Sequence, residues 1–272
     1  MRFLKTYEFK GVKGYKLGWS LAGPPLMTAF CYILGDLMID TGLAHMRKEV
    51  PALAEENRVK RIVLTHHHED HSGNAAALKE ALGARVYGHP LTIEKMARPF
   101  RIRPYQTYVW GKSAPLEVEP FPEKIDTVLG PMVPVHTPGH STDHTAFLLE
   151  EAGILFPGDL YLADRIKYFR ADECLGTEIE SLERILKLEF DMLLCSHFPR
   201  AENGQKRIRA KLDFLRNLYG AIVDLWKKGL SEKEIFRALR LKEDHFIRLF
   251  CFGNVSMMNG VRSVLRHYKN SL

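Results

Sequence analysis

His66-His67-His68-Glu69-Asp70-His71 follows the apolar run RIVL (61–64) after a single threonine and places four imidazoles and two carboxylates in six consecutive positions. Groups of this kind repel one another and resist burial unless something compensates their charge and lone pairs. At the C-terminal end of a strand, the loop can fold residues 66, 68, 70 and 71 toward a common point. A divalent cation at that point removes the conflict, and nitrogen and oxygen donors without thiolate suit zinc, iron or manganese. Any fold available to this chain must therefore close around the loop and bring further ligands to it.

Donors stand at the ends of other apolar runs. HTPGHSTDH (136–144) offers His140 after a Pro-Gly turn, FPGD (156–159) ends on Asp159, and LLCSH (193–197) ends on His197. One donor at each of three further strand ends is the arrangement expected if one edge of the sheets converges on metal. His67 alternates in direction from its neighbours and is expected to face away, and His144 is expected to be satisfied structurally.

The predicted strands are AFCYIL (29–34), LMID (37–40), RIVLT (61–65), ARVYG (84–88), HTAFLLE (144–150), ILFPGD (154–159) and DMLLCSH (191–197), all short runs with β-branched or aromatic character between turn signals. Helical patterns lie between some of them, at 73–83 with a glycine after the last turn and at 177–189 with Ile179, Leu182, Ile185 and Leu186 on one stripe. The alternation argues for an α/β or α+β body over residues 1–200. From about 205 the strand signals stop. Ile208, Leu212, Leu215, Tyr219, Ile222 and Trp226 mark a long amphipathic helix, Ser231 and Glu234 form a capping box, and a last helix covers 256–269. Residues 201–272 thus read as a helical extension. The proline-rich segment 89–125 reads as an irregular insertion, a candidate lid.

With 46% apolar residues, the chain can bury a large core, and no window approaches the ~18 apolar residues of a membrane span. No export leader is apparent, so a cytoplasmic protein is expected. Four cysteines without a C-x-x-C pair suggest buried thiols rather than disulfides or a thiolate metal site. The net charge of +6 arises in the extension, where 15 Lys/Arg face 7 Asp/Glu, against 24 and 26 in the first 200 residues. A solvated helical face or a polyanion contact would each explain it.

H-x-H-x-D-H followed by His, Asp and His resembles the fingerprint of the metallo-β-lactamase-fold superfamily, over roughly residues 1–200. The resemblance implies a four-layered αββα sandwich of two mixed sheets flanked by helices, here with a C-terminal helical appendage. It also implies two divalent cations, with His66, His68 and His140 on one, Asp70, His71 and His197 on the other, Asp159 bridging and Asp40 of LMIDTG (37–42) buttressing the site. Zinc is the expected cation, with iron or manganese as options. Two such cations lower the pKa of a shared water to ~7, so that a bridging hydroxide attacks while the metals polarise the substrate oxygen. The family likeness gives Asp70 a second, catalytic role as proton relay. Tyr161 resembles a tyrosine that contacts substrate in lactonase-like members. Arg98, Arg101 and Arg103 in ARPFRIRPY (97–105) form a candidate anion clamp.

THHHEDHSGN looks like the glyoxalase II type of thioesterase, but GD (158–159) is followed by LYLADR instead of that type's Gly-Cys-Gly-Arg run, which points away from glutathione. The reading is a dinuclear metal-dependent hydrolase of a small ester, thioester or lactone, with self-association into a homo-oligomer as a possible use of the tail. The alternative is a ribonuclease or nucleic-acid-binding hydrolase that uses the basic tail on phosphates. A non-catalytic scaffold would have lost ligands, and none is missing.

Overall fold

The computed structural model describes residues 1–99 and 101–272; Phe100 of the arginine-rich segment lies outside the described residues. Among these, a seven-stranded sheet runs in chain order through β1 (Arg2–Phe9), β2 (Val12–Trp19), β3 (Thr28–Leu34), β4 (Leu37–Ile39), β5 (Arg61–Val63), β6 (Arg85–Gly88) and β7 (Glu119–Pro120). Its first four strands are antiparallel and its last four parallel. The second sheet has the order β12-β10-β9-β8, from β8 (Met132–His136), β9 (Thr145–Leu149), β10 (Ile154–Phe156) and β12 (Met192–Leu193). A small ribbon pairs β11 (Phe169–Arg170) with β13 (Val255–Ser256). The helices are α1 (Glu49–Glu56), α2 (Glu69–Ser72), α3 (Ala75–Leu82), α4 (Pro90–Met96), α5 (Pro104–Val109), α6 (Leu175–Ile185), α7 (Gly204–Lys227), α8 (Glu232–Ala238), α9 (His245–Phe250) and α10 (Met257–Asn270).

Side-chain alternation along the strands builds the layers. In β3, Ala29, Cys31 and Ile33 point to the core shared with α1 and α3, while Phe30, Tyr32 and Leu34 point between the sheets. In β9, Phe147 and Leu149 meet that same inter-sheet core, while Ala146 and Leu148 face the helices on the other side. The result is helix, sheet, sheet, helix, the αββα sandwich. Burial of each large side chain between the sheets, such as Phe147 and Phe156, contributes about 1.5–3 kcal/mol.

The extension joins this plan instead of standing apart from it. The stripe Ile208, Leu212, Leu215 and Ile222 of α7 shares one core with Leu182 and Ile185 of α6 and with Val261, Val264 and Leu265 of α10. Lys211 is buried with its ammonium donating to Glu178 Oε1 at 2.5 Å and to Leu160 O at 2.6 Å, next to Asp159 in the chain. Ser231 caps α8 in the expected box with Glu234, and Gly83, at φ +65°, ends α3.

Two expectations need correction, and one strand pair lies outside the predicted elements. The insertion 89–125 is not irregular throughout, since His89 and Arg103 each precede a Pro-initiated helix, α4 and α5. Strand pairing does not stop at 205, because β13 returns from the extension to pair with β11. The N-terminal hairpin β1–β2, rich in lysine and glycine, carries too little apolar alternation to be read as strand and is held by eight paired positions.

The histidine loop is stapled to the 40–46 turn. Thr41 N and Oγ1 donate to His71 O at 2.6 and 2.9 Å, and Asn74 Nδ2 donates to Thr41 O at 2.7 Å and Leu43 O at 2.9 Å. Gly73 makes this approach possible, since a Cβ there would lie 2.5–2.6 Å from Ala44 N, Glu69 O and Gly42 O. Gly73→Ala is therefore expected to destabilise the fold by about 1–3 kcal/mol, read as a lowered urea midpoint with an unchanged slope; an unchanged midpoint would show that the two loops separate freely.

Candidate metal centre

The loop after β5 delivers His66, His68, Asp70 and His71, with α2 turning the last two inward. The turn after β8 delivers His140, the 3-10 turn after β10 delivers Asp159, and the chain beyond β12 delivers His197. All seven are buried. They form two groups, His66 with His68 and His140, and Asp70 with His71, Asp159 and His197, each with its ligand atoms within 4.8 Å of one another.

The separations suit tetrahedral coordination, in which donors about 2.0–2.1 Å from zinc lie about 3.3 Å apart. In the first group His68 Nδ1 is 2.8 Å from His66 Nε2 and 3.1 Å from His140 Nε2. In the second, Asp70 Oδ2 is 3.6 Å from His71 Nε2 and 3.5 Å from His197 Nε2. Asp159 faces both groups: Oδ1 lies 3.4 Å from His71 Nε2 and 3.5 Å from His197 Nε2, while Oδ2 lies 3.4 Å from His140 Nε2. His71 Nε2 and Asp159 Oδ1 are buried with no hydrogen-bond partner among the described residues, as donors aimed at a cation would be.

In four of the five histidines the other ring nitrogen is fixed from behind. His71 Nδ1–H donates to Asp40 Oδ2 at 2.7 Å, His140 Nδ1–H to Glu173 Oε1 at 2.8 Å, His197 Nδ1–H to Thr28 O at 2.7 Å and His66 Nδ1–H to Thr65 Oγ1 at 3.0 Å. Each bond turns an Nε2 lone pair toward the centre and holds the tautomer a metal requires. Asp40 adopts φ +55°, a left-handed conformation uncommon for a side chain with a Cβ, and also accepts from Thr65 N at 2.8 Å. Asp159 N donates to His144 Nε2 at 3.1 Å, which makes His144 a support for the bridging carboxylate. His67 faces away, as expected, with Nδ1 3.0 Å from Asp143 Oδ1, a carboxylate that Lys95 Nζ also approaches at 2.8 Å.

Electrostatics divide the five imidazoles; burial lowers His140, but Glu173 and Asp159 outweigh it and leave His140 above its ordinary value. Burial above all, and then neighbouring imidazoles or Arg170, hold His66 and His68 well below the ordinary imidazole range, so both are neutral. Burial pushes His71 and His197 the same way, but it is outweighed by Asp70 and Asp159, joined by Asp40 for His71; His71 ends well above its ordinary value and His197 at about 10. Burial raises Asp70 and Asp159, yet His71 and His197 hold both below the ordinary carboxylate range.

Tyr161 is not brought to this cluster. Its ring is fully buried in the core beneath α6 and α7, and its hydroxyl donates to Asp164 Oδ1 at 2.6 Å. Burial and that carboxylate raise its pKa to about 12. Glu173, Asp143 and the Thr28 carbonyl escaped the sequence reading. Asp143 lies three residues after His140 and could have been found by asking for acids beside ligands, whereas nothing local marks Glu173 or Thr28.

The chain belongs to the metallo-beta-lactamase superfamily, which it matches over residues 26–197. It is 30% identical over 198 residues to an atrochrysone carboxyl ACP thioesterase of Aspergillus fumigatus, covering 67% of this chain and 54% of that protein. It is 34% identical over 147 residues to a hydroxyacylglutathione hydrolase of Cereibacter sphaeroides, covering 53% and 51%. The chain thus spans about half the length of these curated relatives. A solved metallo-beta-lactamase family protein from Thermus thermophilus superposes with a TM-score of 0.65 at 24% identity, over 95% of this chain and 94% of that one, a likeness of fold. Its histidine and aspartate clusters suit divalent metal.

A histidine whose pKa is raised on folding stabilises the fold fully below its unfolded value of about 6.5, and loses that contribution as pH rises through the folded value. The metal-free protein is therefore expected to lose stability between pH 6.5 and about 10, the value for His197. Metal must displace those protons, so loaded protein should show the opposite trend, with proton release on binding at pH 7. Melting temperatures across this range, and binding heats in buffers of different ionisation enthalpy, check both; parallel pH trends with and without metal would contradict it.

Proposed function

We propose that the protein is a dinuclear metal-dependent hydrolase of a small ester, thioester or lactone, with residues 1–200 as the catalytic unit and 201–272 as its extension. His66, His68 and His140 hold one cation, Asp70, His71 and His197 the second, and Asp159 both. Zinc is the cation we favour, and iron or manganese suits the same donors. When bound, the pair lowers the pKa of water and polarises the carbonyl under attack.

The observation that carries this reading is the orientation of Asp159, with one oxygen toward each donor group. The protein supplies the rest. Asp40, Glu173, Thr65 and the Thr28 carbonyl fix the rings, so little reorganisation accompanies turnover. Trp110, buried, places its ring 6.2 Å from that of His197. Asp70, buried between His71 and His197 and held ionised, is placed to accept a proton and return it to the leaving group.

A thioester is the first substrate class to test, since one curated relative is named as an ACP thioesterase and another as a hydroxyacylglutathione hydrolase. The arrangement of the extension's charge favours a small substrate over RNA. Arg207 pairs with Asp164, Arg216 with Glu183, Arg262 with Glu232 and buried Lys211 with Glu178, which leaves less free cation than the composition suggests. Among the described residues no helix is long and apolar enough to cross a membrane.

Purified protein is expected to hydrolyse thioesters or lactones, to lose that activity on chelation and to regain it with zinc. Asp159→Asn should lower kcat by about 100-fold or more and take metal content from two equivalents toward one. Turnover that survives chelation, or RNA cleavage that falls steeply with salt while no ester is turned over, would overturn the reading.

A further inference from the structure

We infer that the cavity beside His68 is a binding site for an oxyanion group, a carboxylate or a phosphate, carried by the substrate. The inference rests on the hydrolase reading above and narrows its substrate class to anionic esters or thioesters.

The cavity, about 370 Å³, is walled by Arg101, Arg103 and Arg170 together with Gln106, Asn254 and His68. Three separate parts of the chain build it. Arg101 and Arg103 come from the segment that leads into α5, and Ile102 between them lines the cavity as well. Arg170 lies on β11, and Asn254 immediately precedes its partner strand β13, so the C-terminal extension supplies part of the wall. Asn254 Nδ2 donates to Tyr105 Oη at 2.7 Å, which joins that wall to α5.

Charge sets the ligand class. Two carboxylates also line the cavity, against three guanidiniums. Asp172 is taken by Arg170 in a two-point pair, Nε to Oδ1 at 3.1 Å and Nη2 to Oδ2 at 3.2 Å. Glu69 lines the cavity as well, and only 1% of it is exposed. Arg101 and Arg103 are exposed and take part in no ion pair among the described residues. Two guanidiniums outside any ion pair among the described residues, on one concave surface, are suited to a carboxylate or phosphate, whose oxygens match their paired N–H groups. Arg98, the third member of the clamp expected from the sequence, does not line the cavity.

Position ties the cavity to the chemistry. His68 turns Nδ1 to His66 and His140, and the same residue lines the cavity, where its buried Nε2 has no hydrogen-bond partner among the described residues. A small molecule with its reacting carbonyl at the donor cluster and an anionic group a few bonds away would reach both.

The test compares kcat/KM of zinc-loaded enzyme for S-succinyl-N-acetylcysteamine, for its neutral analogue S-butyryl-N-acetylcysteamine, and for S-butyryl phosphopantetheine, which carries a phosphate on the thiol side. At least one anionic substrate should exceed the neutral one by about tenfold, and which one does so separates carboxylate from phosphate. In the double variant Arg101→Gln/Arg103→Gln the ratio should fall toward one, mainly through KM, while Arg98→Gln keeps it. No preference for either anion, or a preference that survives the double substitution, overturns the inference. If no thioester is turned over, the hydrolase reading fails separately. Calorimetric binding of succinate and of inorganic phosphate to wild type and double variant then decides, with about fivefold weaker binding in the variant supporting the site and equal binding sinking it.

Discussion

Seven titratable side chains converge in a region from which water is nearly excluded, and much of the surrounding structure answers the electrostatic cost of that convergence. Without metal, the second group manages it by proton sharing, with His71 and His197 charged between Asp70 and Asp159. In the first group His66 and His68 are neutral, burial of His140 is outweighed by Glu173 and Asp159, and His68 Nδ1 lies 2.8 Å from His66 Nε2 and 3.1 Å from His140 Nε2, so a proton must stand between each of these close nitrogens. A cation resolves both conflicts at once, and the bridging orientation of Asp159 divides one negative charge between the two halves.

Such a centre works only if its ligands are held before metal arrives, and the fold spends several unusual features on that task. Asp40 takes a left-handed backbone conformation and collects bonds from Thr65 and His71. Gly73 lets the histidine loop press against the turn that carries Asp40. Lys211, from the extension, reaches through a buried pair with Glu178 to the carbonyl of Leu160, one residue from Asp159. The extension is thus coupled to the site through the chain beside Asp159 and, by way of β13 and Asn254, through the arginine-lined cavity as well.

Much of this was legible in the sequence because it is local. Apolar runs that end on His66, Asp159 and His197 announce both strands and donors, and the 4-3-4-3-4 stripe from Ile208 to Trp226 announces α7. Asp40 was foreseen only through the family likeness. What escaped depends on long-range pairing. Thr28 serves through its backbone carbonyl, which has no side-chain signature, and Glu173 meets His140 only once β11 and α6 are placed. The β1–β2 hairpin is held by eight paired positions of its own and by the pairing of β2 with β3, none of which has a local signature. Tyr161 stands two positions after Asp159 in sequence, while the turn at 158–160 sends its ring into the core.

Anomalous scattering from crystals of the zinc-loaded protein tests the central claim most directly. The account predicts two peaks roughly 3.5–4 Å apart, one among His66, His68 and His140 and the other among Asp70, His71 and His197, with Asp159 between them. A single peak, or peaks that leave Asp159 outside the coordination of both ions, would contradict it.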